Sequence, residues 1–180
     1  MLFRSLQLNQ WKNTSKVIEW FKQIANKDKC KFLIFDVCEF YPSIKENLLK
    51  EALQFAEQHI NISQKDKEII HHSRKSLLFN SNDIWMKKYG LFDVTMGAYD
   101  GAEVCELVGN FMLFSLSKIY NKNDICLYRD DGLAVFENIS GPQSERIKKS
   151  FTKNLCFPRN HYRFTYLGRF FKSGREFFSS

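Results

Sequence analysis

The stretch Ile125–Glu137, ICLYRDDGLAVFE, constrains the fold more than any other part of the chain. Two apolar runs flank Arg129-Asp130-Asp131-Gly132, and Asp-Gly between such runs is a strong short-range hairpin signal. A second short run, KFLIFD over Lys31–Asp36, is rich in Phe and Ile and ends on a carboxylate. It reads as a buried strand with Asp36 at its C-terminal end.

Around these strands the patterning is helical. Asn13-Thr14-Ser15 supplies a cap for a helix over 16–26, whose Val17, Ile18, Trp20, Phe21 and Ile24 share one face. Ser43-x-x-Glu46 has the form of a capping box for a helix through about His59. Ser63, with Asp66 three residues on, starts another that reaches about Leu78. Asn80-Ser81-Asn82-Asp83 is turn chemistry between LLF and IWM, which predicts a hairpin. The glycine-punctuated stretch Thr95–Gly101 leads into an apolar helix from about Ala102 to Ile119, and Gly141-Pro142 opens a helix over 143–154. The expected fold class is α+β. A small antiparallel sheet, holding the Asp36 strand and the 125–137 hairpin, is covered on one face by helices near 44–59, 102–119 and 143–154.

A length of 180 residues suits one domain, and a 44% hydrophobic composition suffices for a core. The net charge of +7 suggests a polyanionic partner, but residues 151–180 supply five of those charges. That segment holds six Lys or Arg, one Glu and nine Phe or Tyr. It reads as a basic aromatic tail, either poorly ordered or translated off-frame from about residue 154. The five cysteines are scattered and include no Cys-x-x-Cys pair, which argues against a disulfide framework and for an intracellular location, nuclear or cytoplasmic. Leu107–Leu116, the most apolar run, is too short to span a bilayer, so no membrane partner is expected. Adjacent His71 and His72 diverge on a helix and do not chelate as a pair. Trp85 with Lys87 and Lys88 forms either a basic-aromatic surface for a template strand or a solvated lysine face with Trp85 in the core.

The chemistry concentrates in the carboxylates. Adjacent Asp130 and Asp131 in a tight turn between apolar strands are costly unless something cationic neutralises them. Mg²⁺ does this with carboxylate and phosphate oxygens. If the Asp36 strand pairs beside the hairpin, Asp36 and Asp130 converge. Two ions about 3.5–4 Å apart would then serve an in-line phosphoryl transfer. The plain alternative is an Asp-Gly turn that faces water.

Motif order adds to this reading. Phe35-Asp36-Val37, then Phe40-Tyr41-Pro42-Ser43, the glycine stretch into a helix, and Tyr128-Arg129-Asp130-Asp131 together resemble the palm of reverse transcriptases, over roughly residues 31–150. The resemblance implies Asp36 and Asp130 as ligands of two Mg²⁺ or Mn²⁺ ions, with the Val37 carbonyl as a third ligand and Asp131 as the accompanying carboxylate. It implies Tyr41 as a steric gate against the ribonucleotide 2′-hydroxyl. Tyr128 and Arg129 belong to the Tyr-x-Asp-Asp box, with Arg129 placed for a primer phosphate. Either Gly97 or Gly101 would be the glycine that admits the template base and nucleotide. The family's usual prolines are missing there, and residues such as Tyr99 and Glu106 stand in their place.

The implied function is RNA-directed DNA polymerisation on an RNA or DNA template with a primer and deoxynucleoside triphosphates. The implied source is a retrotransposon, of the Penelope-like or a related group. Residues 1–30 would be a helical remnant of the fingers, with further fingers and thumb segments belonging to a longer polyprotein. The chain alone would then be weakly active or inactive. Two other readings stand beside this one: a catalytically silent remnant that binds nucleic acid, and another two-metal phosphotransferase or nuclease.

Overall fold

Apolar residues fill strand β2, Cys30–Val37, and the sheet is built around it. The computed structural model describes residues 7–75, 77–86, 91–95, 97–155 and 162–167. In chain order the elements are β1 (Asn9–Gln10), α1 (Thr14–Gln23), β2, α2 (Phe40–Ser43), α3 (Glu46–Glu57), α4 (Gln64–His72), β3 (Leu77–Asn80) and β4 (Asp83–Met86). They continue with α5 (Gly101–Ser117), β5 (Ile125–Tyr128), β6 (Asp131–Glu137), α6 (Gly141–Asn154) and β7 (Tyr162–Leu167). The chain divides into two units, one of Met1–Gln7 with Glu39–Phe111 and one of Leu8–Cys38 with Met112–Ser180.

The second unit holds a five-stranded sheet of order β1-β5-β6-β2-β7. β2 runs antiparallel to both β6 and β7, β5 and β6 form a hairpin, and β1 adds in parallel beside β5. Side chains of a strand alternate between faces, and cross-strand partners share one. On one face lie Leu33, Phe35, Ala134 and Phe136. Phe35 meets Phe151 of α6 edge-on at 5.3 Å, and Tyr120 stacks with Phe151 at 5.0 Å and with Phe136 at 5.7 Å. Phe35 and Phe151 are fully buried, and burying a side chain of this size contributes about 1.5–3 kcal/mol.

The opposite face is covered as well, by α1. Trp11, Trp20, Phe32, Cys126 and Val135 form one cluster there, joined by Val17, Phe21 and Ile24. Trp20 donates its Nε1–H to the Asn123 carbonyl at 2.6 Å, which gives the indole a polar partner. Asn13 caps α1 as its sequence suggests, accepting from the Lys16 amide at 3.2 Å.

In the other unit, α3 buries Leu48, Leu49, Ala52, Leu53, Phe55 and Ala56 along one side. Its N-cap is Lys45 and makes no side-chain cap bond, which corrects the capping box expected at Ser43. Ser43 is instead the buried last residue of α2. α4 ends at His72 rather than near Leu78, because Leu77–Asn80 is taken up in the β3–β4 hairpin.

Three observations bear on the sequence expectations for the rest of the chain. Tyr162–Leu167, inside the expected tail, is a strand paired along β2 from Phe32 to Val37. Residues 168–180, Lys87, Lys88 and Met96 lie outside the described residues. No helix among the described residues is long and apolar enough to cross a membrane.

Candidate active site

The β2–β6 register places Asp36 directly opposite Asp131. Such partners have Cα atoms about 4.5–5.5 Å apart and side chains on one face. The turn of the β5–β6 hairpin is Arg129-Asp130, closed by Tyr128 opposite Asp131. This corrects the expectation that Asp131-Gly132 makes the turn, since both residues already belong to β6. Two-residue hairpin turns that match strand twist need φ > 0 at the first central position, and Arg129 has φ 56°. A non-glycine residue held there costs of order 1–3 kcal/mol. The Arg129 guanidinium lies 5.7 Å from the centre of the Tyr128 ring.

The turn is tied to β2 as well. The Val37 N–H donates to the Asp130 carbonyl at 3.2 Å, so the backbone of Asp130 is fixed beside the end of β2. Asp36, Val37, Asp130 and Asp131 are thereby gathered at one end of the sheet's strands. Two neighbours that the sequence reading did not single out join them. Cys38 Sγ donates to Asp36 Oδ2 at 3.8 Å. Arg163 of β7, an exposed residue, is the register partner of Asp36 on its other side, opposite the partner Asp131 on β6. The Asp–x–Cys spacing of Asp36 and Cys38 is visible in the sequence. The partnership with Arg163 depends on a strand pairing 127 positions away and is not visible there.

Electrostatically the cluster is strained. Partial burial first, then the charges of Asp130 and Asp36, push the Asp131 carboxyl above its ordinary value of 3.8. Asp131 is exposed overall, and its desolvation comes from one side, where it borders an open apolar pocket of about 250 Å³ walled by Trp11, Val17, Ile34, Tyr128 and Leu133. A carboxyl with a raised folded-state pKa binds its proton more tightly folded than unfolded, so stability falls as pH rises through that window. Asp131→Asn is therefore expected to raise the melting temperature at neutral pH. It should also flatten the melting-temperature profile above pH 3.8, and thermal denaturation across a pH series checks this.

Among the described residues no three His, Cys, Asp or Glu side chains are gathered into a group that could hold a metal ion. The backbone register brings the three aspartates together, but their side chains are not drawn onto one point. Carboxylates this near one another disfavour each other's charged forms, and a divalent ion would offset that cost. The donor set of carboxylate oxygens plus the Val37 carbonyl fits the hard-oxygen chemistry of Mg²⁺ or Mn²⁺.

The remaining sequence-predicted residues lie in the other unit. Tyr41 is half-buried in α2, its ring 6.3 Å from that of Phe40. Gly97 has φ +89° with open space around it, a conformation that favours glycine. Gly101 is buried where a side chain would come within 3.1 Å of the Thr95 carbonyl and 3.9 Å of the Tyr41 ring. Tyr41 and Gly101 are thus neighbours. Trp85 is 59% exposed, which corrects its alternative placement in the core.

No protein-family model matches the chain, and neither does any curated protein sequence. Solved structures do. The telomerase of Candida tropicalis, in complex with a TWJ fragment of telomeric RNA, is similar over 92% of this chain, with a TM-score of 0.62 and 17% identity. Its apo form is similar over 96% of this chain at the same TM-score and 16% identity. The RNA-dependent RNA polymerase of a human picorbirnavirus is similar over 91% of this chain, with a TM-score of 0.56 and 15% identity. The fold is of the polymerase palm type. The chain spans about a third of the length of the structures it matches, from 31% to 34% of these three.

Proposed function

We propose that residues 31–150, with β7, form the palm of an RNA-directed DNA polymerase, and that a Penelope-like or related retrotransposon is its source. The reaction is attack of a primer 3′-hydroxyl on the α-phosphate of a deoxynucleoside triphosphate, releasing pyrophosphate. The observation that carries this reading is the placement of Asp36 opposite Asp131, with Asp130 in the turn bonded to Val37. That is an oxygen-donor cluster at the tip of a palm-type sheet. On this reading Asp36, Asp130 and the Val37 carbonyl would hold two divalent ions, and Asp131 would complete the negative field. Bound there, such ions supply the positive charge that both substrates' oxygens require in phosphoryl transfer.

The chain's own residues do the positioning. Arg129, exposed on a strained turn, offers a cation to the primer phosphate. Arg163, on the far side of Asp36, offers one to the anionic triphosphate or the departing pyrophosphate. Tyr41 limits the space for the sugar, and the open backbone at Gly97 and the tight packing at Gly101 shape the approach of template and nucleotide. Residues 1–30 belong to a fingers element on this reading, and the rest of the fingers and the thumb to the remainder of a longer polymerase.

Extension of a labelled DNA primer on an RNA template, with Mg²⁺ or Mn²⁺ and deoxynucleotides, tests the proposal. Weak extension at most is expected from this chain alone, and full extension once the missing fingers and thumb are supplied. Tyr41→Val is expected to admit ribonucleotides that the wild type rejects. Cleavage without synthesis would replace the proposal with a nuclease. Salt-sensitive binding without any chemistry, even with the fingers and thumb supplied, would replace it with a silent nucleic-acid-binding protein.

A further inference from the structure

Arg74 is 2% exposed, the largest of the fully buried side chains, and neither the carboxylate cluster nor the sheet accounts for it. It follows directly on the C-cap of α4 and holds two points of the chain at once. Its carbonyl accepts the Asp93 N–H at 2.8 Å, and its guanidinium forms an ion pair with Asp100. Burying a guanidinium is costly unless it is paired. Here the pairing fastens both flanks of one short stretch to a single residue. Thr95 Oγ1 donates to Asp93 at 2.6 Å, and the Ala98 and Gly101 amides donate to the carbonyls of Thr95 and Ala98, each at 3.1 Å. Between the fastened flanks Gly97 stands at φ +89° in open space and Tyr99 is 103% exposed.

A whole aromatic ring presented to solvent from an anchored base is what a contact surface needs, because the ordering cost of binding is met before the ligand arrives. We infer that Tyr99 stacks on an unpaired base of the template strand and that Arg74 is the positioning residue that holds Tyr99 out for it. Aromatic rings take any base on their faces, which suits a polymerase that must accept every template sequence. The inference rests on the polymerase reading for the identity of the ligand, and on Arg74, Asp93, Asp100 and Tyr99 for the device itself. No metal is needed for the contact.

The test is a titration of the full chain into a primer–template with 2-aminopurine at the first unpaired template base, in the absence of nucleotide. Wild type is expected to quench the fluorophore. Tyr99→Ala is expected to lose the quench and bind about tenfold more weakly, with Tyr99→Phe restoring both. Arg74→Gln is expected to lose most of the quench while hydrogen exchange at Gly97–Gly101 quickens. Asp100→Asn, which leaves the buried guanidinium in place, gives the same reading should Arg74→Gln fail to fold. Unchanged quenching in Tyr99→Ala would overturn the contact. Unchanged quenching in Arg74→Gln or Asp100→Asn, despite faster exchange, would overturn the positioning role. A wild type that binds but shows no dependence on Tyr99 sinks this inference alone. A wild type that binds no primer–template sinks the polymerase reading with it.

Discussion

Asp130→Asn is expected to reduce primer extension by at least a hundredfold, roughly the loss seen when one electrostatic partner of a charged transition state is removed. The melting temperature should not fall with it. Asp130 sits in a two-residue turn where its fold contribution is its carbonyl, bonded to the Val37 amide, and asparagine keeps that carbonyl. Removing one of three mutually repelling carboxylates should if anything stabilise this end of the sheet, since Asp130 is one of the charges that raises Asp131. Asp131→Asn should cost less activity, about tenfold, as expected of a carboxylate that shapes the field around ligands rather than acting as one. Single-turnover extension with both variants, alongside thermal denaturation, checks the contrast. Equal activity in wild type and Asp130→Asn would remove Asp130 from the chemistry.

The second large effect is structural. Gly132 is the register partner of Phe35, and a β-carbon on Gly132 would overlap the outer end of the Phe35 ring. That ring is wholly buried and meets Phe151 edge-on, so moving it disturbs the core. Gly132→Ala is therefore expected to destabilise the protein by about 1–3 kcal/mol, the usual range for overpacking a core. At about 2–4 °C per kcal/mol for a chain of this size, the melting temperature should drop by several degrees or more. Adding Phe35→Leu should recover part of the loss, because the two sites are in contact and their effects are not additive. A Gly132→Ala protein with wild-type stability would mean that β2 and β6 pair in a different register.

Gly132 also shows where sequence reasoning stops. Asp-Gly correctly announces a hairpin between Ile125 and Glu137, yet the glycine is needed for the Phe35 ring rather than for the turn. The turn falls one step earlier, on an arginine with positive φ. Local chemistry locates such a hairpin, and the facing strand decides its register. The strand ending near Asp36 and the cap at Asn13 were legible because each depends on a few adjacent residues. β7 was not legible, since its aromatic and basic residues read as a tail until β2 supplies a partner. Ser43 fails for the same reason. A serine three residues before a glutamate resembles a cap, but tertiary packing buries it. Of the candidate site, the three aspartates were readable from motif order, whereas Cys38 and Arg163 beside Asp36 emerged only from the folded register.

A polymerase palm requires that the carboxylates at the end of β2 and in the β5–β6 hairpin form a divalent-cation site. Thermal denaturation of the full chain across a Mg²⁺ and Mn²⁺ series tests this directly, without requiring the rest of a polymerase. A ligand that binds only the folded state at a hundred times its dissociation constant adds about 2.7 kcal/mol, or several degrees here. The predicted result is a saturable rise in the wild type that is lost in both Asp36→Asn and Asp130→Asn. A rise of equal size in those variants, or none in the wild type at any concentration, would contradict the account.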